Sequence, residues 1–132
     1  MSRVIKFRGY DQENKCWRHG HYYEGVMTDA PLCLNDCRIS RVIIIDGTFY
    51  HVAPESVGQF TGLTDSNGVE IYEGDVCCIA EDRRFVSKVC FHKGGFTFAD
   101  YMGGAVIAFA TQNIEVIGNV YEHQHMLYRS SA

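Results

Sequence analysis

Proline is nearly absent from this chain, with 2 residues in 132, and no run of about 18 apolar residues exists anywhere in it. The missing apolar run excludes a membrane-spanning helix. No stretch repeats apolar residues at i, i+3, i+4 and i+7 with a cap at each end, so the sequence predicts little helix beyond short pieces within 52–58 or 99–113. Internal repeats and low-complexity segments are also lacking, which excludes solenoid and linker architectures. Met1-Ser2-Arg3-Val4 carries no apolar h-region, so a place in the cytosol of a host cell is expected.

An excess of positive charge is missing as well. The net charge is −4, and residues 59–132 carry five bases against nine acids, a balance that repels a phosphate backbone. Only the first eighteen residues form a local basic cluster, with five bases against two acids. What the chain does have is ring and turn: 8 Tyr, 8 Phe and 13 Gly. Aromatic side chains fit the half-buried surface of a sheet, and glycine supplies its bends. With 46% hydrophobic and 21% charged residues, the composition is that of one globular domain, or two small units sharing a core. In a reducing cytosol Cys16, Cys33, Cys37, Cys77, Cys78 and Cys90 are expected as thiols.

Alternation from Val4 to Tyr10 predicts a half-buried strand, and Asp11-Gln12-Glu13-Asn14-Lys15 a turn into a second strand, Cys16–Tyr23. Residues 24–40 read as irregular. Val42-Ile43-Ile44-Ile45, Asp46-Gly47 and Thr48–Val52 predict a hairpin around a type I′ turn, whose two central residues need positive φ. Strands are further expected at Val57–Leu63, Val69–Tyr72 and Val76–Ile79, then around Ser87-Val89-Phe91 and Phe96-Phe98, and last at Ile114–Tyr121. Turns about every ten residues from Val69 onward give the rhythm of a small barrel or sandwich.

Gln59-Phe60-Thr61-Gly62-Leu63-Thr64-Asp65-Ser66-Asn67-Gly68-Val69-Glu70-Ile71-Tyr72-Glu73-Gly74-Asp75 resembles the central signature of the YopX family, small proteins encoded by bacteriophages and prophages. Ile5-Lys6-Phe7-Arg8-Gly9-Tyr10-Asp11 is similar to that family's opening strand and Gly118-Asn119-Val120-Tyr121-Glu122 to its closing strand, in the family's order. The resemblance implies a mainly β fold of short antiparallel sheets. An N-terminal β region, 1–58, would hold a strand, a variable loop and hairpin 42–52, and 59–132 would form an SH3-like β-barrel. It implies no reaction and brings no catalytic residue, cofactor or substrate. The signature's own chemistry is that of turns: Gly62, Gly68 and Gly74 for unusual backbone angles, Asp65, Asn67 and Asp75 for bonds to nearby amides, and Phe60, Leu63, Ile71 and Tyr72 for a core.

Six cysteines and six histidines invite a metal, with Cys33-x3-Cys37, His19-x-His21 and His123-x-His125 as the close pairs. Structural zinc takes two close pairs with suitable spacing, and no second cysteine pair has it, so no metal or other cofactor is expected. Cys90 and His92 share a strand face, an arrangement too common to name a nucleophile. Glu73 and Asp75 flank a turn, where capping is their expected duty, and Gly94-Gly95 and Gly103-Gly104 lack the strand-loop-helix setting of a phosphate site. The expectation is therefore a non-catalytic protein that binds an unknown phage or host protein or forms a homo-oligomer, with Tyr22, Tyr23, Phe49, Tyr50 and Tyr101 as candidate interface residues. The alternative is a nucleic-acid-binding module using Lys6, Arg8 and Tyr10 on the N-terminal strand, against the acidic second half.

Overall fold

The computed structural model describes residues 4–26, 39–79, 82–92, 94–99 and 113–123. Ten strands follow in order: β1 (Phe7–Asp11), β2 (Cys16–Val26), β3 (Ile39–Ile45), β4 (Thr48–His51), β5 (Gly58–Thr64), β6 (Glu70–Tyr72), β7 (Asp75–Ile79), β8 (Asp82–His92), β9 (Gly95–Phe98) and β10 (Ile114–Asn119). Helix is confined to a 3-10 turn at Pro54–Ser56 and one turn, α1, at Val120–His123. No helix among the described residues is long and apolar enough to cross a membrane. The fold is mainly β, as expected, and divides into two compact units: Lys6–Val57, and Gly58–Ala132 together with Met1–Ile5.

The N-terminal unit is an antiparallel sheet in the order β4-β3-β2-β1. Asp46 and Gly47 have φ of 49° and 80°, so the β3–β4 hairpin turns through the type I′ geometry its Asp-Gly pair calls for. Strand β2 continues to Val26 and β3 begins at Ile39, narrowing the stretch read as irregular; β1 starts at Phe7, three residues later than its alternation implied. Tyr10 ties β1 to the 3-10 turn. Its N–H donates to Ser56 Oγ at 2.7 Å, and its carbonyl accepts from Ala53 N–H at 3.0 Å.

In the C-terminal unit β5 pairs with β6, and a four-stranded antiparallel sheet runs β10-β7-β8-β9. Ile71 of β6 packs with Cys77, Val89, Phe98 and Ile114, one residue from each strand of that sheet, and Leu63, Phe96 and Val116 close the rim. Ile71 and Ile114 are fully buried, and each such side chain contributes roughly 1.5–3 kcal/mol of transfer free energy. The described strands do not join into a closed barrel. Cys77 and Cys78 point to opposite faces of β7, yet both are buried, as is Val76, so this central strand is covered on both sides.

The signature segment is a set of backbone anchors. Gly62, Gly68 and Gly74 all sit at positive φ (89°, 82° and 93°), angles at which a Cβ would be strained. Asp65 is buried, and its carboxylate accepts three backbone N–H groups: Asn67 at 2.8 Å and Val69 at 2.9 Å through Oδ1, and Val116 at 2.9 Å through Oδ2. One side chain thus shapes the β5–β6 turn and attaches it to β10, fifty-one residues away. Asp75, 1% exposed, accepts Tyr72 N–H at 2.7 Å, while Gly74 N–H donates to the Val89 carbonyl.

The last strand departs from the expected Ile114–Tyr121. It ends at Asn119, because Asn119 Oδ1 accepts Glu122 N–H at 2.8 Å and so caps α1, and Asn119 N–H donates to His123 Nδ1 at 3.2 Å. A bulge between Val116 and Gly118 precedes this cap.

Replacing Asp65 by alanine strands three backbone donors at a site with little access to water. We expect a loss on the order of 3 kcal/mol or more, read as a lower urea midpoint at unchanged m-value. A variant within about 0.5 kcal/mol of the parent would contradict this role.

Candidate interaction surface

Residues paired across an antiparallel ladder project from the same face, so the register of the N-terminal sheet sorts its side chains into two sets. One face carries Arg8 opposite His19, Tyr10 opposite Trp17, the row His21–Ile44–Phe49 and the row Tyr23–Val42–His51. Lys6 extends the alternation of Arg8 and Tyr10 one step before β1. The other face carries Asp11 opposite Cys16, Phe7 opposite Gly20, Tyr22–Ile43–Tyr50 and Glu24 opposite Arg41.

Charge divides along the same line. On the second face the cations meet carboxylates: Arg18 Nε lies 3.2 Å from Asp11 Oδ2, and Arg41 Nη2 lies 3.8 Å from Glu24 Oε1. Asp11 is buried and accepts Glu13 N–H and Asn14 N–H, each at 3.1 Å, as well as the Asn14 side-chain amide at 2.8 Å. The Asn14 side-chain amide is the main cause that holds this carboxyl below its ordinary value. Burial opposes it; Asn14's backbone N–H and Arg18 reinforce it. Among the paired residues of β1 to β4, the first face holds Arg8, His19, His21 and His51.

Rings organise both faces. On the first, the Arg8 guanidinium lies 4.8 Å from the centroid of Trp17, which meets Tyr10 edge-on at 5.3 Å; Tyr23 and Phe49 are 44% and 49% exposed. On the second, Arg18 stacks 3.9 Å over Tyr50, and Tyr22 packs on Phe7 at 5.6 Å and donates to Glu24 Oε2 at 3.0 Å. Burial, then the Glu24 carboxylate, raises the Tyr22 phenol above its usual value.

The residues named from sequence are therefore separated as well as joined. Arg8, Tyr10, Tyr23 and Phe49 share one face, and Lys6 lies just before β1; Tyr22 and Tyr50 lie half-buried on the other; Tyr101 falls outside the described residues. Trp17 and His21 belong with the first group, and the sequence signal that finds them is the 11–15 turn, which sets Trp17 against Tyr10. Cys33, Cys37 and His125 also lie outside the described residues, and no group of three or more His, Cys, Asp or Glu among those described is placed to hold a metal ion. Cys90, half-buried, faces Thr97 across β8–β9, and exposed His92 faces Gly95.

A family model described as YopX protein matches residues 6–128 of the chain. None of the curated proteins matches it. Among solved structures, the crystal structure of protein EF1440 from Enterococcus faecalis is similar over 96% of this chain and 99% of that one, with a TM-score of 0.57 and 21% identity, a likeness that speaks for the fold alone.

The depressed Asp11 carboxyl sets a pH dependence. Its folded value lies below its unfolded one, so its stabilising contribution is complete above about pH 4–5 and is lost as pH falls through the folded value. Urea midpoints of the parent and Asp11→Asn should therefore differ most near neutrality and converge on acidification. A gap that stays constant with pH would refute the linkage.

Proposed function

The chain is a member of the YopX family, and on that footing we propose that it is a phage- or prophage-encoded accessory protein of the host cytosol that works by non-catalytic binding of another protein or a second copy of itself. One observation carries this reading. Strand β4 stands at the edge of its sheet among the described residues and presents Phe49, half in water, beside an outward row of backbone amides and carbonyls. Two such edges paired antiparallel would join the sheets of two copies, with Phe49 near the seam.

The signature carboxylates support a non-catalytic role, since Asp65 and Asp75 direct their oxygens at backbone N–H groups and not at an open cleft. We further read the C-terminal unit as an SH3-like barrel left open, in keeping with the way Ile71 lies across all four strands of the β10-β7-β8-β9 sheet. A second reading, contact with nucleic acid through Lys6, Arg8 and Tyr10, draws on a separate observation: the Arg8 guanidinium lies over Trp17, which meets Tyr10 edge-on.

Light scattering coupled to size exclusion tests the first reading. The mass should rise to twice that of the chain with concentration, and Phe49→Asp should hold the protein monomeric without lowering its thermal midpoint. A parent that stays monomeric at the highest attainable concentration removes self-association; if affinity capture from host cells also recovers no partner protein, the reading falls.

A further inference from the structure

Resting on the first of those readings, we infer that the partner at the β4 edge is a second copy of this chain, paired antiparallel with Tyr50 of each copy at the two-fold axis. The hairpin decides which groups point outward. A two-residue turn closes on a hydrogen-bonded pair, here Ile45 with Thr48, and such pairs recur at every second residue. Ile43 with Tyr50 is the next, and the bond from Val52 N–H to the Arg41 carbonyl at 3.0 Å continues the series. Thr48 and Tyr50 therefore direct their backbone groups at β3, while Phe49 and His51 turn theirs away from it. Strand β4 ends its sheet, and among the described residues no hydrogen bond reaches those outward groups.

Terminal strands in this chain are not all left in that state. On β10 the Ile114 carbonyl accepts Ser66 N–H and Val116 N–H donates to Asp65 Oδ2, both at 2.9 Å, so a turn of the same chain closes that ladder. Strand β4 has no such cover among the described residues, and Thr48–His51 contains neither proline nor formal charge, the devices that keep an edge from pairing. With Tyr50 opposite Tyr50, each Phe49 stands opposite the second copy's His51. All the outward groups then find partners, in four intermolecular hydrogen bonds. A register shifted by two residues would set His51 against Gly47, inside the turn. The two Phe49 side chains, 49% exposed in the single chain, become diagonal neighbours within aromatic reach. Charge permits the approach, since Arg18, stacked 3.9 Å over Tyr50, is held by Asp11 at 3.2 Å. A seam this short buries less than the roughly 1,200–2,000 Å² of stable complexes, so monomer and dimer should exchange. Pairing uses up the edge, and association should stop at two.

Sedimentation equilibrium on the full chain tests the pairing, and the parent should follow a monomer–dimer isotherm with no larger species. His51→Pro removes an outward N–H and leaves the bonds to β3 in place, as an edge position allows. Losing one bond on each side of the axis should raise the dissociation constant about tenfold or more at unchanged circular dichroism. His51→Lys keeps the N–H but sets a charge at the seam; it should act in the same direction, and it serves if the proline variant does not fold. Disulfide capture under oxidised glutathione reads the register. Tyr50→Cys, with Cα atoms about 4.5 Å apart across the axis, should link two copies. Thr48→Cys, exposed but four residues out of register, should link no more than the parent. A dimer indifferent to both His51 substitutions, equal linking through positions 48 and 50, or masses beyond two chains would overturn this pairing while leaving self-association standing. A parent that stays monomeric at the highest attainable concentration would overturn it too, and the broader reading would then rest on a partner of different sequence.

Discussion

Buried carboxylates are tolerated only when other groups replace the water they lose, and the C-terminal unit depends on that requirement at Asp65. Three backbone N–H groups converge on it, two from its own turn and one from β10. The same turn gains Ser66 N–H donating to the Ile114 carbonyl and Asp65 N–H donating to that of Val69. A local bend and a contact across most of the unit are thus one interaction. Asp75 repeats the device on a smaller scale where Gly74 turns β6 into β7. In both places the carboxylate oxygens are aimed at backbone N–H groups.

That logic explains what could be read in advance. Turn chemistry is local, so Asp46-Gly47, Gly62, Gly68 and Gly74 announced positive φ from residue type alone, and all adopt it. Strand existence was legible wherever apolar residues alternate: five strands, β6 to β10, follow in the span from Val69 to Tyr121. Less legible was what depends on partners distant in sequence. Asp65 read as a turn residue bonding nearby amides, because nothing near it in the chain reveals the distant Val116 amide. The end of β10 was misplaced because Val120 and Tyr121 suit a strand by propensity, whereas the Asn119 cap, an interaction of side chain with backbone, decides for a helical turn.

The candidate surface was half visible in the same sense. The basic alternation Lys6-Arg8-Tyr10 is a property of one strand and could be read directly. Its neighbours could not, since grouping Tyr23 and Phe49 with it and setting Tyr22 and Tyr50 apart requires the register of three strand pairs. A one-residue slip in any of these would exchange the two faces. Aromatic content alone treated the four rings as equals. Pairing sets Tyr23 and Phe49 on one face and Tyr22 and Tyr50 on the other, which also carries the Arg18–Asp11 and Arg41–Glu24 pairs.

The bulge in β10 has a consequence for how this chain can vary. Up to Val116 the strand's inward residues fill the core; the extra residue at Ile117 shifts the alternation, so that Asn119 meets Asp75 and starts α1 while Gly118 leaves room for the His123 ring. Substitutions in this stretch trade one packing for another, but removing a single residue would turn the strand's tail inside out. Between the Asp65 anchor at Val116 and the cap at Asn119, the count of residues is under tighter constraint than their identity.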